Sequence, residues 1–312
     1  MSLSFEFGDI NRMARTDPRG FMAECDAELY RRLAMATARI AAQSGQKPIV
    51  LLSGPSGSGK TTTAGKIAAG LGLIGVRAHV ISMDDYYMTV DEHTRAVDEN
   101  GNIDYETPDI LDIPLMRRHF SELESGREIA VPRFDFAAQR RKPEPGETLR
   151  LGKDEVAVFE GIHALNPALL DGGARTVRVY ASARSNILDG GDVFFKGTWM
   201  RLMRRTIRDK NFRGAPAELT QSLWAAVRRG EKKYISPFKD LADIVIDTSL
   251  CYEVCALRDF ALPLFAEIDE GLERAAEMRE IAPKLREFTP IPAEYISKKS
   301  LLREFIGGIV FN

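Results

Sequence analysis

Short apolar runs alternate with longer amphipathic stretches along most of the chain. The apolar runs, which are typical of strands buried inside a sheet, are 49–54, 77–82, 156–161, 176–183 and 242–247. Apolar residues recur at helical spacing in 20–43, 60–71, 110–126, 198–210, 216–230 and 252–288. This alternation predicts an α/β fold with a mostly parallel sheet flanked by helices.

Two segments interrupt the alternation. Residues 84–110 are polar and rich in turn-forming residues, which predicts a long functional loop. Farther along, IAVPRFDF and ETLRL flank the turn-forming stretch RRKPEPG. That pattern predicts a β-hairpin insertion.

We divide the chain into an N-terminal helical segment (1–46), an α/β domain (47–250) and a C-terminal helical extension (251–312). The extension carries apolar residues at helical spacing, namely Leu257, Phe260, Leu264, Phe265 and Ile268. The pattern favours packing of these residues onto the α/β domain over their forming a dimer interface. A homo-oligomer is kept as the alternative.

The charge and cysteine content narrow the class of protein. The 312 residues carry 43 basic and 45 acidic side chains, a net charge of -2, which argues against a dedicated binder of nucleic acid or of anionic membranes. No apolar run approaches the ~20 residues that span a bilayer, and the N-terminus lacks a basic segment followed by an apolar core. The sparse cysteines, Cys25, Cys251 and Cys255, fit a reducing compartment and favour core packing over a metal site. We therefore expect a cytoplasmic protein that binds neither nucleic acid nor membranes.

The stretch GPSGSGKT, Gly54 to Thr61, matches the phosphate-loop pattern G-x-x-x-x-G-K-[ST] at every fixed position. Its glycines allow a tight turn whose N–H groups converge on phosphate oxygens, and the following helix adds the positive end of its dipole. Lys60 is expected to reach the β- and γ-phosphates, and Thr61 to offer its hydroxyl to Mg²⁺. A flexible glycine linker is the alternative, but a strand precedes the loop and a helix follows it, as a phosphate loop requires. The pattern predicts a P-loop NTPase fold without naming the reaction.

Carboxylates follow two of the predicted strands. Asp84 and Asp85 come just after 77–82, and Glu160 stands at the end of 156–161. The carboxyl ends of strands in an open α/β sheet face the binding crevice, where a carboxylate accepts a hydroxyl proton or holds Mg²⁺. The alternatives are an ordinary loop-capping Asp and a solvent-exposed Glu at a strand end.

Five arginines stand close together in RLMRRTIRDKNFRG, at Arg201, Arg204, Arg205, Arg208 and Arg213. On a helix, Arg201 and Arg208 fall on the same face as either Arg204 or Arg205. Guanidinium groups bind phosphate bidentately and stabilise charge during transfer, as a lid over a nucleotide requires. A solvated basic face is the alternative.

Together these segments resemble the uridine kinase and phosphoribulokinase group of P-loop kinases, over about residues 48–247. The similarity is carried, in the family's order, by GPSGSGKTT, SMDDYY, DYETPDILD, VPRFDFAAQRR, VFEGIHALNP, RLMRRTIRDKNFRG and EKKYISPFKDLADIVID. The chain is also similar to a bacterial uridine kinase-like branch in the segments EGIHALNP, FRGAPAELT, VRRGEKKYISPF and SLLREFIGG. Members of that branch carry a synthetase-like N-terminal portion, which we do not expect residues 1–47 of this sequence to form.

Together with the reasoning from the residues, the resemblance implies an ATP- and Mg²⁺-dependent kinase with a small lid and a small-molecule acceptor. The ATP phosphates are expected at Gly54, Ser56, Gly57, Ser58, Gly59, Lys60, Thr61, Thr62 and Arg213. Catalytic roles fall to Asp84, Lys60, Arg205 and Arg208, and the metal site to Thr61, Asp84 and Glu160. The acceptor is expected to contact Tyr87, Tyr105, Glu106, Phe134, Gln139 and Arg205.

Three positions depart from the family's pattern. Gln139 stands where nucleoside-specific relatives have a His that reads the pyrimidine edge, and Ala215 where they have a further lid Arg. Trp199 replaces an Asp before the lid helix, which leaves Thr198 as a candidate helix cap. The ATP half of the site therefore matches the family and the acceptor half is altered. We expect uridine or cytidine as the acceptor; the alternatives are another small alcohol, such as a sugar or sugar phosphate, and an ATP-binding regulatory protein that has lost catalysis.

Overall fold

The strands and helices occur largely where the alternation of the sequence predicts them. A computed structural model describes residues 5–89, 96–97, 101, 104–136, 138–170 and 173–311. The strands are β1 (Ile49–Ser53), β2 (Arg77–Ser82), β3 (Ile129–Ala130), β4 (Phe134–Asp135), β5 (Arg140–Arg141), β6 (Thr148–Leu149), β7 (Glu155–Glu160), β8 (Thr176–Ser182), β9 (Ile187–Asp189), β10 (Asp192–Phe195) and β11 (Ile244–Asp247). The α-helices are α1 (Phe7–Thr16), α2 (Pro18–Ala41), α3 (Lys60–Leu73), α4 (Ile113–Glu124), α5 (Pro167–Leu170), α6 (Gly197–Phe212), α7 (Ala217–Gly230), α8 (Glu253–Ala261), α9 (Ala275–Arg279), α10 (Ile281–Glu287) and α11 (Arg303–Ile306).

The central sheet has the strand order β11–β8–β1–β7–β2, and every neighbouring pair is parallel. β1 lies in the middle and is buried along its whole length. Its Val50 and Leu52 pack in the core on one face of the sheet, while Ile49 and Leu51 pack in a second core on the other. Both faces are covered, which is why the run is continuously apolar. The predicted mostly parallel sheet flanked by helices is confirmed.

The predicted hairpin insertion contains two pairs of short strands. β3 pairs antiparallel with β6, which joins the two segments expected to form it. Between them β4 pairs with β5, so Arg140 and Arg141 belong to a strand, and the prediction that they lie in the turn is wrong. The Arg141 guanidinium donates to Asp112 Oδ2 at 2.9 Å and to the Tyr86 carbonyl at 3.0 Å. These long-range bonds hold the second strand pair against the body of the protein.

Apolar periodicity did not locate the β9–β10 hairpin, nor helix α1 within the N-terminal segment that was expected to be helical. They meet in an aromatic cluster, in which the ring centroids of Phe7 and Phe194 lie 4.1 Å apart and those of Phe7 and Phe288 lie 5.1 Å apart. The hairpin turns at Gly190 and Gly191, whose φ angles are 59° and 96°. Both elements are short and depend on tertiary packing, so local periodicity does not reveal them.

The C-terminal extension is less helical than the pattern 252–288 predicts. α8 ends at Ala261 and gives way to a 3₁₀ turn with Pro263 at its second position, where the proline ring and its missing N–H stop the helix. Helical structure resumes only at α9, after a loop in which Asp269 Oδ1 accepts a hydrogen bond of 2.8 Å from the Gly271 N–H. The apolar spacing therefore predicted helical structure in this segment, but proline and loop residues divide it into the separate helices α8, α9 and α10.

One apolar core includes residues from all three predicted segments, among them Ile10, Val177 and Leu285. Cys25, Cys251 and Cys255 are buried and free. Within the ranges described, no helix combines the length and apolar character needed to cross a bilayer. The three-part division of the chain stays a prediction.

Candidate active site

The turn between β1 and α3 has the backbone of a phosphate loop. Gly57 and Gly59 have φ angles of 73° and 78°, in the left-handed region that favours glycine. A Cβ on Gly54 would lie 1.9 Å from the carbonyl oxygen of Ala181, and one on Gly57 would lie 2.5 Å from that of Arg201. Glycine is therefore required by backbone conformation at 57 and 59 and by close packing at 54 and 57.

The polar groups of this loop fit an anionic ligand. The Ser58 hydroxyl oxygen is buried and has no hydrogen-bond partner among the described residues. Lys60 Nζ lies 3.4 Å from the Pro55 carbonyl, a long hydrogen bond. Burial lowers the pKa of Lys60, and the carboxylates of Glu160 and Asp84 oppose that shift. A buried hydroxyl and an enclosed ammonium beside a helix N-terminus are what a nucleotide phosphate requires.

Asp84 and Glu160 stand at the carboxyl ends of β2 and β7, which pair in parallel with their ends in register. Glu160 Oε1 accepts a hydrogen bond of 3.0 Å from the Thr61 hydroxyl. Burial raises the pKa of both carboxyl groups, and the nearby Lys60 ammonium opposes this shift in each of them. The two carboxylates therefore lie close to Lys60, as strand ends at one sheet edge predict.

The oxygen groups of Thr61, Asp84 and Glu160 suit Mg²⁺, which prefers oxygen ligands and is commonly held by one or two carboxylates together with substrate phosphates. Among the residues placed by the structure, no group of three or more His, Cys, Asp or Glu side chains could hold a metal.

Three arginines of the lid stretch line the same cavity as Lys60 and Asp84, namely Arg205, Arg208 and Arg213. Arg205 Nη1 donates to Ser56 Oγ at 3.1 Å. Asp209 orients the other two, since its Oδ1 lies 2.7 Å from Arg208 Nη2 and 3.6 Å from Arg213 Nε. Helix α6 and the residue that follows it therefore bring three guanidinium groups to the cavity that the phosphate loop lines.

The other two arginines of the stretch turn into the protein. Arg201 donates to both carboxylate oxygens of Glu231, at 2.9 and 2.6 Å. Arg204, fully buried, pairs with Glu253 and donates to the carbonyl oxygen of Gly57 at 3.3 Å. The single phosphate-binding face predicted from helical spacing is therefore wrong for these two residues, because buried carboxylates compensate their charge.

The opposite side of the cavity is aromatic. Tyr87, Phe134 and Phe136 contact one another with centroid separations of 5.6, 6.0 and 5.1 Å. Asp85 does not join Asp84 in the cavity lining; its Oδ1 accepts a hydrogen bond of 3.3 Å from the Phe134 N–H. Asp85 thus fixes the aromatic wall to the turn that carries Asp84. Phe136 was missed by sequence reasoning, although it stands in the same RFDF run as Phe134.

The remaining acceptor candidates, Tyr105, Glu106 and Gln139, also line the cavity. Burial raises the pKa of Glu106, and the positive charge of Arg205 opposes that shift. Gln139 has a φ of 52° and donates its amide to the Phe136 carbonyl at 2.9 Å. Of the predicted functional loop 84–110, residues 90–95, 98–100 and 102–103 lie outside the described part of the chain.

Trp199 and Thr198 do not take the places the sequence suggested. The Trp199 ring is buried, and its Nε1 donates to Glu277 Oε1 at 2.9 Å. It belongs to the contact with the C-terminal extension and not to the acceptor site. Thr198 lies inside α6, which makes no side-chain cap at its N-terminal residue; instead, Asn186 Oδ1 accepts from the Gly197 N–H at 2.8 Å.

Glu304, from the C-terminal tail, was also missed. It lines the cavity and accepts a hydrogen bond of 3.0 Å from the Thr62 N–H. Its sequence signal was weak, because one Glu in SLLREFIGG has no local partner that marks it as part of the site.

The sequence is similar to that of known proteins. A family model described as the phosphoribulokinase/uridine kinase family matches residues 49–187. A uridine kinase of Deinococcus deserti is 30% identical over 202 residues, which covers 64% of this chain and 87% of that protein. The chain belongs to the phosphoribulokinase/uridine kinase family. This confirms the resemblance drawn from the motifs and makes the protein a P-loop kinase of small molecules.

Other known proteins are similar to this kinase at lower sequence identity. A uridine kinase of Halobacterium salinarum is 28% identical over 196 residues, covering 62% of this chain and 77% of that protein. A solved structure of a possible uridine kinase from Bacillus stearothermophilus matches with a TM-score of 0.46 and 20% identity, over 70% of this chain and 100% of that one.

Proposed function

We propose that the protein is an ATP- and Mg²⁺-dependent kinase that transfers the γ-phosphoryl group to a primary hydroxyl, with a pyrimidine nucleoside as the acceptor. The observation that carries the proposal is the shared cavity, which is lined by Lys60, Asp84 and the lid arginines together with an aromatic wall. Phosphoryl transfer depends on positioning and on stabilising negative charge, and this cavity supplies groups for both.

Each group has a chemical role in the proposed reaction. Asp84 accepts the proton of the attacking hydroxyl, for which it must be ionised. Lys60 and the guanidinium groups of Arg205 and Arg208 stabilise charge on the phosphoryl oxygens. Mg²⁺, when bound, neutralises further phosphate charge, and the oxygen groups of Thr61, Asp84 and Glu160 would hold it. The lid excludes water, which protects the transfer from hydrolysis.

Two features support a nucleoside acceptor. The wall of Tyr87, Phe134 and Phe136 offers ring faces and edges against which a planar base packs. The Glu106 carboxylate on the same cavity can accept hydrogen bonds from sugar hydroxyls. The two sequence relatives named above, from Deinococcus deserti and Halobacterium salinarum, are uridine kinases by name, which supports this assignment.

One observation favours a second candidate, a kinase of another small alcohol such as a sugar or sugar phosphate. Gln139 stands where nucleoside-specific relatives have a His, and one of its two amide N–H groups donates to the Phe136 carbonyl, so part of its hydrogen-bonding capacity is used within the protein. A site that lacks a base-reading hydrogen bond loses discrimination among acceptors by orders of magnitude.

An acceptor screen with ATP and Mg²⁺ tests the proposal, beginning with uridine and cytidine and continuing with sugars and sugar phosphates. Asp84→Asn is expected to lower kcat by about 10²- to 10⁴-fold and to leave ATP binding within a few-fold of wild type. The exposed Asp259→Asn serves as the matched control. A wild-type protein that binds ATP and phosphorylates none of these acceptors would instead be a regulatory nucleotide-binding protein. Full activity of Asp84→Asn would remove Asp84 from the mechanism.

A further inference from the structure

The C-terminal segment 300–306 is anchored against the phosphate loop. Leu301, Leu302 and Phe305 are buried. A Cβ added to Gly59 would lie 2.9 Å from Leu301 Cδ1, so this leucine covers the loop closely. The Phe305 ring lies under the Arg204 guanidinium, with its centroid 5.3 Å from the central carbon. The segment is therefore part of the wall of the nucleotide site.

Within this segment, the Glu304 carboxylate accepts from an N–H group at the start of α3, where a phosphate loop binds phosphate. The first main-chain bond inside α3 runs from the Thr63 N–H to the Gly59 carbonyl, so the preceding N–H groups need partners from outside the helix. The Thr62 N–H finds one in Glu304 Oε2, at 3.0 Å. In a phosphate loop the N–H groups of this turn bind phosphate oxygens, and here a carboxylate occupies one of them.

The charges around Glu304 confirm that it stands among the groups of the site. Burial lowers the pKa of Lys60 and of Arg213 and raises that of Glu160, and the nearby Glu304 carboxylate contributes a smaller upward shift to all three. A phosphate that approaches the Thr62 N–H meets this carboxylate at hydrogen-bonding distance. Two anions cannot both accept from one N–H at that distance without strong repulsion.

We propose that Glu304 is a built-in competitor for phosphate at the nucleotide site, and that a nucleotide binds only after the Glu304 side chain turns away from Thr62. The inference rests on the proposed function, because it assumes that the loop binds a nucleotide. Leu301 and Phe305 keep the segment in place, so one side chain moves and the tail stays attached. The opposite role, a carboxylate that helps to hold the bound nucleotide, predicts the opposite change in affinity.

ADP binding to the full chain, measured by calorimetry without acceptor and with a chelator in place of Mg²⁺, separates the two roles. Glu304→Gln is expected to bind ADP about tenfold more tightly than wild type, because a charge-assisted hydrogen bond no longer has to be broken. Glu304→Ala, which leaves the N–H open, is expected to change affinity in the same direction. Glu294→Gln removes an exposed carboxylate from the same tail and is expected to leave the affinity unchanged.

Thermal unfolding and the Thr62 amide give independent readouts. Without nucleotide, Glu304→Gln is expected to lower Tm slightly and to move the amide resonance of Thr62; saturating ADP is expected to raise Tm more for the variant than for wild type. Equal or weaker ADP binding by both variants, with wild type binding ADP, would overturn this inference and leave the proposed function intact. Absence of ADP binding in wild type and variants alike would overturn both.

Discussion

Replacement of Arg204 tests how the phosphate loop is held. Arg204 and Glu253 are both fully buried and form an ion pair, and Arg204 also donates to the carbonyl oxygens of Thr248 and Gly57 at 3.0 and 3.3 Å. Arg204→Met keeps most of the side-chain volume but leaves the Glu253 carboxylate without its counter-charge. Breaking such a pair costs about 3–5 kcal/mol, a large part of the roughly 5–15 kcal/mol that stabilises a typical protein.

The variant should also acquire a characteristic pH dependence. Burial raises the pKa of Glu253, and Arg204 opposes that shift; without Arg204 the pKa rises further. A carboxyl group whose folded pKa lies above its unfolded value stabilises the fold at low pH, and this stability is lost as pH rises through the folded pKa. The free energy of unfolding of Arg204→Met should therefore fall with increasing pH, relative to wild type, by up to about 1.4 kcal/mol per pH unit in that window.

Urea denaturation followed by circular dichroism at pH 5 and pH 8 measures both effects. Arg204→Met/Glu253→Leu, which removes both charges, should be less destabilised at pH 8 than Arg204→Met alone. A loss below about 1 kcal/mol for Arg204→Met, or an equal loss at both pH values, would refute the assignment of Glu253 as a buried group that depends on Arg204.

Three further predictions concern the site and its surroundings. Burial raises the pKa of Asp84, and the reaction needs this group ionised. The rate should therefore begin to fall, as the pH is lowered, above the usual Asp pKa of ~4. A pH–rate profile whose acid limb lies at or below that value would contradict this. Gly57→Ala places a Cβ 2.5 Å from the Arg201 carbonyl at a φ of 73°, so it should lower the free energy of unfolding by about 1–3 kcal/mol and weaken ADP binding in calorimetry. Gly72→Ala in α3, where the added Cβ meets no described atom within 4 Å apart from its adjacent residues and the helix backbone, should lower neither the free energy of unfolding nor the affinity for ADP. Trp199→Phe loses the bond to Glu277 and should lower the free energy of unfolding by about 1 kcal/mol with kcat/KM unchanged; a tenfold drop in kcat/KM would return Trp199 to the site.

The phosphate half of the site could be predicted from local sequence because its requirements are local. Glycine, lysine and threonine at fixed spacing shape one turn, and the carboxylates of Asp84 and Glu160 follow from their places at the ends of two strands. The regular elements of the α/β domain were predictable for the same reason, since apolar periodicity reports burial over a few turns or strands. The short α1 and the β9–β10 hairpin carry too few residues for such a signal.

The sequence by itself thus determined the parallel α/β fold, the phosphate loop and the family to which this kinase belongs. Only the tertiary structure decided which of five neighbouring arginines face the cavity, because that depends on the buried carboxylates of Glu231 and Glu253, which are distant along the chain. It also placed Trp199 against the C-terminal extension and brought Glu304, 242 positions away, to the N–H of Thr62. Such contacts join groups that are remote in the chain, and no local spacing rule encodes them.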